Sequence, residues 1–275
     1  MAPGIEHRRL MAPEAVYDAI GAGYAPLRRP DARLTCALRA ALGPADSTVN
    51  VGAGAGSYEP QDCAVVAVEP SVTMIRQRPA EAGPAALGVA EALPLSDRCV
   101  DAALAVFTIH HWADAAHGLR ELVRVARRRI VLLTMDPLCL ARHWMITEYA
   151  PEIVDTHVAS FPSIAWLLGA LPSARAVEWE VPADCSDLFM AALWARPEAY
   201  LHPAIRSATS VWHQLPEAAV DRAIERLRAD LEAGRWDSRH AHLRRTSALD
   251  VGRSHRDRRS DRHRSTRMSG APQAP

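Results

Sequence analysis

Short apolar runs alternate with amphipathic stretches along the first half of the chain. Each run has the length of a β-strand; the first is rich in β-branched residues, and the others are apolar at most consecutive positions rather than at every second one. Five such runs are predicted as strands: Ser47–Val51, Ala64–Val68, Ala85–Val89, Val100–Phe107 and Arg129–Thr134. Strands that are apolar on both faces and alternate with helices are typical of a parallel sheet that helices cover on both sides. The pattern therefore predicts an α/β fold with a doubly wound, mostly parallel sheet.

Helical spacing of apolar residues fills the intervals between these runs. The predicted helices of this half are Glu14–Ala22, Asp31–Leu42, Ser71–Arg78 and Ala115–Arg127. In the last of them, Leu119 and Leu122 fall on one face. Asp31 follows Pro30 and is predicted to cap the second helix, because its carboxylate can accept from the first free backbone N–H groups.

The alternation ends after the fifth run. Residues 138–172 are predicted to be helical in pieces and are rich in aromatic and large apolar side chains. Residues 174–181 and 185–192 are predicted as strands, and Pro216–Gly234 as a helix that its final glycine ends. The fifth strand is therefore expected to be followed by a helical insertion.

The charge of the chain is distributed unevenly. Its 275 residues carry 32 basic side chains, all of them arginine, and 32 acidic ones, so the formal net charge is zero. Residues 244–275 hold nine of the arginines and three aspartates, which leaves residues 1–243 acidic. We expect residues 1–243 to form the folded domain and residues 244–275 to form an arginine-rich, disordered tail.

Nucleic-acid binding by the tail is one alternative function. The arginines between Arg253 and Arg267 could displace counterions from phosphates. However, no aromatic side chain for base stacking lies among them, and interspersed aspartates weaken their positive field. The composition therefore favours a solvated tail, and we expect nucleic acid not to be a partner.

Cysteine usage and hydrophobicity narrow the cellular setting. The five cysteines are widely spaced, with no pair at metal-ligand spacing, which is typical of reduced cytoplasmic thiols rather than of a disulfide framework or a zinc site. The longest apolar runs are shorter than the roughly 20 residues that a membrane-spanning helix needs. We therefore expect a cytoplasmic protein with neither a metal nor a membrane as partner.

A glycine-rich loop follows the first predicted strand. Gly52, Gly54 and Gly56 leave backbone N–H groups open to a ligand, because no Cβ blocks the approach. Ser57 stands where the dinucleotide-binding fingerprint requires its third glycine, which counts against a nicotinamide cofactor. Glu69, at the end of the second strand, can accept hydrogen bonds from both hydroxyls of a ribose. A nicotinamide-dependent oxidoreductase shares the sheet and this carboxylate, and it is the alternative enzyme class.

Four motifs together resemble the class I S-adenosylmethionine-dependent methyltransferases, in particular the type 11 group that is similar to ubiquinone and menaquinone C-methyltransferases. They are the glycine loop, the strand end Val66–Ser71, the turn Ala90–Pro94 and the segment Thr108–Trp112. The matching stretch runs from about Tyr17 to Pro137. The resemblance implies a Rossmann-like sheet, S-adenosylmethionine as cofactor, and in-line methyl transfer to a small-molecule acceptor.

The resemblance also implies roles for individual residues. The backbone from Gly52 to Gly56 would hold the methionyl part of the cofactor, Glu69 the ribose, and Phe107 would lie beneath the cofactor. Two further sets would hold the adenine and form a lid: Met74, Ala90 and Glu91 for the adenine, and Tyr24, Arg28 and Arg29 for the lid. Asn50 stands where the family usually has an acid, which removes one negative charge from the site.

A general base is needed only if the acceptor is a weakly acidic hydroxyl or carbon acid. His110 and His111 are the candidates near the expected methyl position, and His111, next to Trp112, is preferred. Local packing or hydrogen bonding is the alternative for both. Asp136 is a further candidate, with helix capping as its alternative, and Tyr149 could line an acceptor pocket or lie in the core.

The end of the chain departs from the resemblance. Related enzymes close with an apolar last strand, which would follow a segment like Leu249–Gly252. Arg253–Arg256 stands there instead, so we predict that the sheet lacks this strand and keeps an open edge. The cofactor-binding core is expected at about residues 14–137 and an acceptor-side helical region at about residues 138–243.

Overall fold

Five parallel strands form one sheet in the computed structural model, which describes residues 17, 18, 21 and 24–249. In chain order they are β1 (Ser47–Val51), β2 (Ala64–Glu69), β3 (Ala85–Leu87), β4 (Val100–Val106) and β5 (Ala126–Leu133). Their order across the sheet is β3-β2-β1-β4-β5. The prediction of a doubly wound parallel sheet is confirmed, and each predicted strand is found within a few residues of its expected bounds.

The strand order creates a crevice at one edge of the sheet. β2 lies on one side of β1, and the chain later crosses to place β4 on the other side. Val49 of β1 is aligned with Val66 of β2 and with Ala103 of β4, so β1 has parallel partners on both sides. Because the connections that follow β1 and β4 leave in opposite directions, a crevice opens beyond their carboxyl ends, where doubly wound folds bind ligands.

Helices cover the sheet and build the second half of the chain. The α-helices are α1 (Ala32–Leu42), α2 (Val72–Ile75), α3 (Ala115–Val125), α4 (Pro137–Leu140), α5 (Ile153–Thr156), α6 (Ile164–Ala170), α7 (Pro203–Ser207), α8 (Ser210–His213), α9 (Glu217–Glu232) and α10 (Arg235–Arg244). A π-helical turn lies at Met145–Tyr149, and 3₁₀ turns lie at Ile109–His111, Val158–Ser160, Met190–Leu193 and Pro197–Leu201. The predicted helical insertion after the fifth strand is therefore present.

Alternate residues of β4 pack against helices on opposite faces of the sheet. Ala102 and Leu104 belong to a core with the leucines of α1, whereas Ala103 packs with the leucines of α3. Asp31 caps α1 as predicted, by accepting a hydrogen bond from the backbone N–H of Arg33 at 3.0 Å. The helix predicted at Pro216–Gly234 is α9.

Two predicted helices are shorter than expected. The helix predicted over Ser71–Arg78 is the single turn α2, which Ser71 caps. The helix predicted to reach Arg127 ends at Val125, because β5 begins directly at Ala126. β5 carries its arginines near its first residues, where Arg127 forms an ion pair with Asp101, so charged side chains are accommodated within a strand.

The strands predicted at residues 174–181 and 185–192 are wrong in most of their length. In these ranges only Val181–Pro182 is a strand (β6), and it pairs antiparallel with Ala248–Leu249 (β7). Met190–Leu193 is a 3₁₀ turn whose residues are all buried. Its apolar run reflects burial in a second core, built from residues between 140 and 243 around the fully buried Trp194 and Trp236.

Some predictions fall on residues outside the described ones. Most of the helix predicted at Glu14–Ala22 and all of the chain after residue 249 lie outside the described residues. Within the described residues no antiparallel strand joins the five-stranded sheet. The missing last strand and the domain boundary near residue 243 stay predictions, although ordered structure continues past residue 243: α10 ends at Arg244, and Ala248–Leu249 forms β7.

Three further observations concern the described part of the chain. None of its helices combines the length and hydrophobicity needed to cross a membrane. No disulfide joins the five cysteines, all of which are described. The described residues contain no group of three potential metal ligands.

Candidate active site

A cavity of about 390 Å³ lies beyond the carboxyl ends of β1 and β4, in the crevice that the strand order creates. Gly52 and Gly54, in the loop after β1, line it with positive φ angles of 65° and 54°. A Cβ added at Gly52 would lie 1.9 Å from Oγ1 of Thr108, which follows β4. The close approach of the two loops and the backbone angle therefore both require glycine at residue 52.

Glu69 ends β2 and is one of the residues that line the cavity. Its Oε2 accepts from the backbone N–H of Gly54 at 2.7 Å, and its Oε1 from that of Ser71 at 3.0 Å. These bonds leave part of the acceptor capacity of the carboxylate free, since a carboxylate offers about four lone-pair sites. Burial raises the pKa of the Glu69 carboxyl above its ordinary value, although the two backbone N–H groups oppose the shift.

Asn50 of β1 holds an unsatisfied acceptor at the cavity. Its Nδ2 donates to Oε1 of Glu59 at 3.0 Å, and Glu59 accepts two hydrogen bonds from Arg78 at 2.7 and 2.9 Å. Because a carboxylate can only accept, this contact fixes which end of the amide faces Glu59. Oδ1 of Asn50 is buried without a hydrogen-bond partner, in a residue that lines the cavity.

A buried ion pair lies in the cavity wall. Arg28 and Asp187 both line the cavity, and Nε and Nη2 of Arg28 donate to the carboxylate of Asp187. Oη of Tyr58 donates to the same carboxylate at 2.9 Å. The guanidinium carbon of Arg28 lies 5.1 Å from the ring centre of Tyr24, a distance at which cation–π attraction operates. Asp187 thus neutralises and orients the cation of the wall.

The structure brings most of the predicted cofactor residues to this cavity. Besides those described above, its lining includes Tyr24, Met74, Ala90, Glu91 and Phe107. Gly56 is not brought there: it lies beside the ion pair of Arg78 and Glu59, where an added Cβ would be 3.1 Å from Nη1 of Arg78. Gly56 has a φ of 89°, so glycine is needed there for the turn of the loop.

The two candidate histidines face different spaces. His111 lines the large cavity, and its Nε2 is hydrogen-bonded to Oη of Tyr17 at 3.2 Å. His110 lines a smaller cavity, and its Nδ1 is buried without a partner. Burial lowers the pKa of His111 to about 3 and that of His110 well below its ordinary value, so both imidazoles are neutral at pH 7. The role of His111 as a base stays a prediction.

Asp136 and Tyr149, the other two candidates, do not line the cavity. Each has the alternative role that the sequence suggested for it. Asp136 caps α4 by accepting from the backbone N–H of Leu138 at 3.0 Å. Tyr149 is buried in the second core, where its Oη donates to Asp230 at 2.9 Å.

Tyr17, Tyr58 and Asp187 line the cavity without having been predicted as site residues. Tyr58 follows the glycine loop directly, so its proximity could have been read from the sequence. Asp187 lies 159 residues from its partner Arg28, and no local pattern connects them. The one local signal is an isolated acid directly before Leu188 and Phe189, since buried acids are paired.

The part of the chain that forms the parallel sheet is similar to known methyltransferase domains. A family model described as a methyltransferase domain matches residues 49–133, from β1 to the end of β5. Over 85 residues, 29% of this chain, the sequence is 36% identical to the uncharacterized protein YafE of Escherichia coli, and the match spans only 40% of that relative.

One solved structure matches much more of the chain. It is a crystal structure from Anabaena variabilis named "Putative methyltransferase from antibiotic biosynthesis pathway", and it is 30% identical to this chain with a TM-score of 0.78. The alignment covers 83% of this chain and 97% of the Anabaena chain, so the similarity includes the second half as well as the sheet. By fold, by cavity and by this match, the chain belongs to the class I S-adenosylmethionine-dependent methyltransferases.

Proposed function

We propose that this protein transfers the methyl group of S-adenosylmethionine to a small-molecule acceptor at the cavity beyond β1 and β4. The observation that carries the proposal is the convergence of the glycine loop, Glu69 and the unsatisfied Oδ1 of Asn50 on one cavity. Tyr24 and Asp187 line the same space from remote parts of the chain.

The residues present fit the cofactor group by group. Oδ1 of Asn50 is a buried acceptor that the ammonium of the methionyl part can satisfy. The space next to the backbone of Gly52 would be filled by the Cβ of any other residue. Glu69 keeps free lone pairs that can accept hydrogen bonds from the ribose hydroxyls. Met74 and Ala90 would provide apolar contact for the adenine. Arg28 would lie close to the carboxylate end of the cofactor.

The chain's contribution to the reaction is mainly positional. S-adenosylmethionine supplies a methyl group on a positively charged sulfur, which a nucleophile can attack directly. Holding nucleophile and methyl in line at about 3–3.5 Å gives a large rate acceleration without further chemistry. The neutral state of His110 and His111 suits such a site, because a protonated imidazole would repel the cationic cofactor.

Calorimetric titration of the full chain tests the proposal. S-adenosylhomocysteine, the demethylated cofactor, is expected to bind, whereas NAD is not. Glu69→Gln should weaken S-adenosylhomocysteine binding about tenfold, because a charge-assisted acceptor is lost. Glu225→Gln, on the exposed face of α9, is the matched control and should bind like the wild type. Binding of NAD alone would overturn the proposal in favour of an oxidoreductase.

A further inference from the structure

Gly118 lies inside α3, where glycine is less favourable than alanine because it loses more conformational freedom on folding. Its backbone does not require glycine, since Gly118 is not among the glycines with a positive φ. The indole of Trp112 fills the space that a side chain would need: an added Cβ would lie 2.7 Å from Cζ3 and closer still to Cε3. The ring, and not the helix, therefore accounts for glycine at residue 118.

Gly169, the other glycine inside a described α-helix, shows the contrast. Nothing lies within 4 Å of a Cβ added at Gly169 in α6, so alanine fits there without any movement. At residue 118 the same methyl group would come much closer to Trp112 than the roughly 3.5–4.0 Å at which two carbon atoms attract each other. Alanine at residue 118 would therefore displace the ring.

Trp112 connects α3 with the wall of the proposed cofactor site. It lines the large cavity together with Val89, Ala90 and Glu91. Oε1 of Glu91 accepts from the backbone N–H of Asp114 at 2.9 Å, which fastens the segment of Trp112 to the turn after β3. Ala90 is one of the residues proposed for the adenine, so this wall lies beside the proposed position of the nucleoside. An indole offers a flat apolar surface of the kind that a purine base contacts.

A ring displaced from Gly118 would move towards the cavity. On the other side, Leu119 and Leu122 of α3 are buried in a core against which Trp112 itself packs. A close-packed core has no voids that could take up a displaced indole. The cavity is the open space beside the ring, so a methyl group at residue 118 would narrow the proposed cofactor site.

Resting on the proposed function, we propose that Gly118 is a positioning residue for the cofactor: the absence of a Cβ leaves room for the indole of Trp112 against α3, and the indole forms the wall beside the nucleoside. Gly118 does not line the cavity itself, so it acts through Trp112. The width of the site at this end thus depends on a helical residue that the ligand does not touch.

Calorimetric titration of the full chain with S-adenosylhomocysteine tests this role in Gly118→Ala, in Trp112→Leu and in the double variant. Gly118→Ala should weaken binding about tenfold, because the displaced ring competes with the ligand for space. Trp112→Leu should weaken binding about tenfold as well, because the aromatic contact with the base is lost. In the Trp112→Leu background Gly118→Ala should change the affinity less than about twofold, because the ring that it displaces is absent. Gly169→Ala is the matched control and should bind like the wild type.

5′-Methylthioadenosine locates the effect within the cofactor. This ligand keeps the nucleoside of S-adenosylhomocysteine but lacks its amino-acid part. Gly118→Ala should therefore weaken the binding of both ligands by the same factor. A loss that is confined to S-adenosylhomocysteine would overturn the placement of Trp112 beside the nucleoside.

The double variant separates a role through Trp112 from a general role in the helix. Equal losses of affinity on Gly118→Ala in both backgrounds would overturn the inference, because alanine would then disturb α3 and not the ring. Wild-type affinity in either single variant would overturn it too. If Gly118→Ala does not fold, the double variant must still fold and bind like Trp112→Leu; its failure would count against the inference. Failure of S-adenosylhomocysteine to bind the wild type would overturn the proposed function and this inference together.

Discussion

Nδ2 of Asn50 donates to Oε1 of Glu59 at 3.0 Å, which joins the amide of β1 to a carboxylate nine residues further along the chain. The resemblance to class I methyltransferases implies an acid at the position of Asn50. Here the nearby negative charge belongs to Glu59, where Arg78 neutralises it through two hydrogen bonds. An acid at residue 50 would face Glu59 as a like charge. The amide therefore suits this neighbour and still leaves Oδ1 for the cavity.

Asn50→Asp is expected to destabilise the protein at pH 8. Two buried carboxylates in hydrogen-bond contact cannot both ionise freely, and we expect a loss of about 1–3 kcal/mol in the free energy of unfolding. Relative to the wild type at the same pH, acidification to pH 5.5 should recover part of this loss, because the pair takes up a proton. Urea unfolding at both pH values measures the effect. Asn50→Ala adds no charge and should show no such recovery; equal stability of Asn50→Asp and wild type at pH 8 would refute the expectation.

Gly52→Ala is expected to abolish S-adenosylhomocysteine binding and to lower the free energy of unfolding by more than about 1 kcal/mol. The new Cβ would collide with Thr108 and would sit on a backbone with a φ of 65°. Gly169→Ala is the matched control, because nothing lies within 4 Å of a Cβ at that helical position. It should raise the free energy of unfolding by about 0.5–1 kcal/mol. Equal effects of the two substitutions in urea unfolding would contradict this assignment.

Local signals made the centre of the site predictable from the sequence. The glycine loop follows an apolar strand, and Glu69 follows the next one, so the parallel sheet itself brings them to one edge. Asp31 likewise caps α1 because capping depends on residues only a few positions away. These features depend on residues that are close together in the sequence, and for that reason sequence patterns could locate them.

Features that depend on distant contacts could not be predicted in this way. Asp187 becomes a wall residue only because the second half of the chain folds back onto the segment of Arg28. The apolar run at Met190–Leu193 has the composition of a strand, but a core of remote aromatic residues decides its conformation. Helix propensity did not place the end of α3 either, because pairing of β5 with β4 begins at Ala126.

Acidification is expected to weaken S-adenosylhomocysteine binding through Glu69. The carboxylate form accepts from the ribose, and burial raises the pKa of Glu69 above its ordinary value. Affinity should therefore be full at neutral pH and fall as pH falls through this raised pKa, starting above the range near 4.3 where an exposed glutamate titrates. Titrations from pH 7.5 to 4.5, with tryptophan fluorescence showing at each pH that the protein is folded, measure this. In Glu69→Gln the affinity should be lower at neutral pH and lack this dependence; an identical pH profile in both proteins would exclude Glu69 as its source.

Asp187→Asn is expected to lower the free energy of unfolding by about 3–5 kcal/mol, because it leaves the buried guanidinium of Arg28 without a counterion. Asp184→Asn is the matched control: it breaks an ion pair with Arg33 in which Asp184 is 80% exposed, so the change should stay below about 1 kcal/mol. Urea unfolding followed by tryptophan fluorescence measures both. A loss below about 1 kcal/mol for Asp187→Asn would show that Arg28 finds another partner.

Four buried or half-buried histidines are expected to make the protein sensitive to mild acid. Burial lowers the pKa of His111 and His143 to about 3 and that of His157 to about 4, and it also lowers the pKa of His110. In the unfolded chain each titrates near 6.5, so between about pH 6.5 and 4 the unfolded state binds up to four more protons than the folded state. Stability is therefore expected to fall as pH falls through this window, by up to about 1.4 kcal/mol per pH unit for each histidine that stays neutral in the folded protein.

Urea unfolding at pH 7.5, 6.0 and 5.0 gives this slope directly. His157→Asn removes one titrating group. The difference in bound protons between the unfolded and folded states, which sets the slope, should therefore fall by about one, whatever the substitution does to stability at pH 7.5. His117→Asn, at an exposed position of α3, should leave the slope unchanged. Because the slope counts protons and not contacts, it distinguishes loss of a buried neutral histidine from a general loss of packing. If the free energy of unfolding did not change between pH 6.5 and 5, these imidazoles would have to be protonated in the folded protein. The conclusion that the histidines near the proposed cofactor site are neutral would then be wrong.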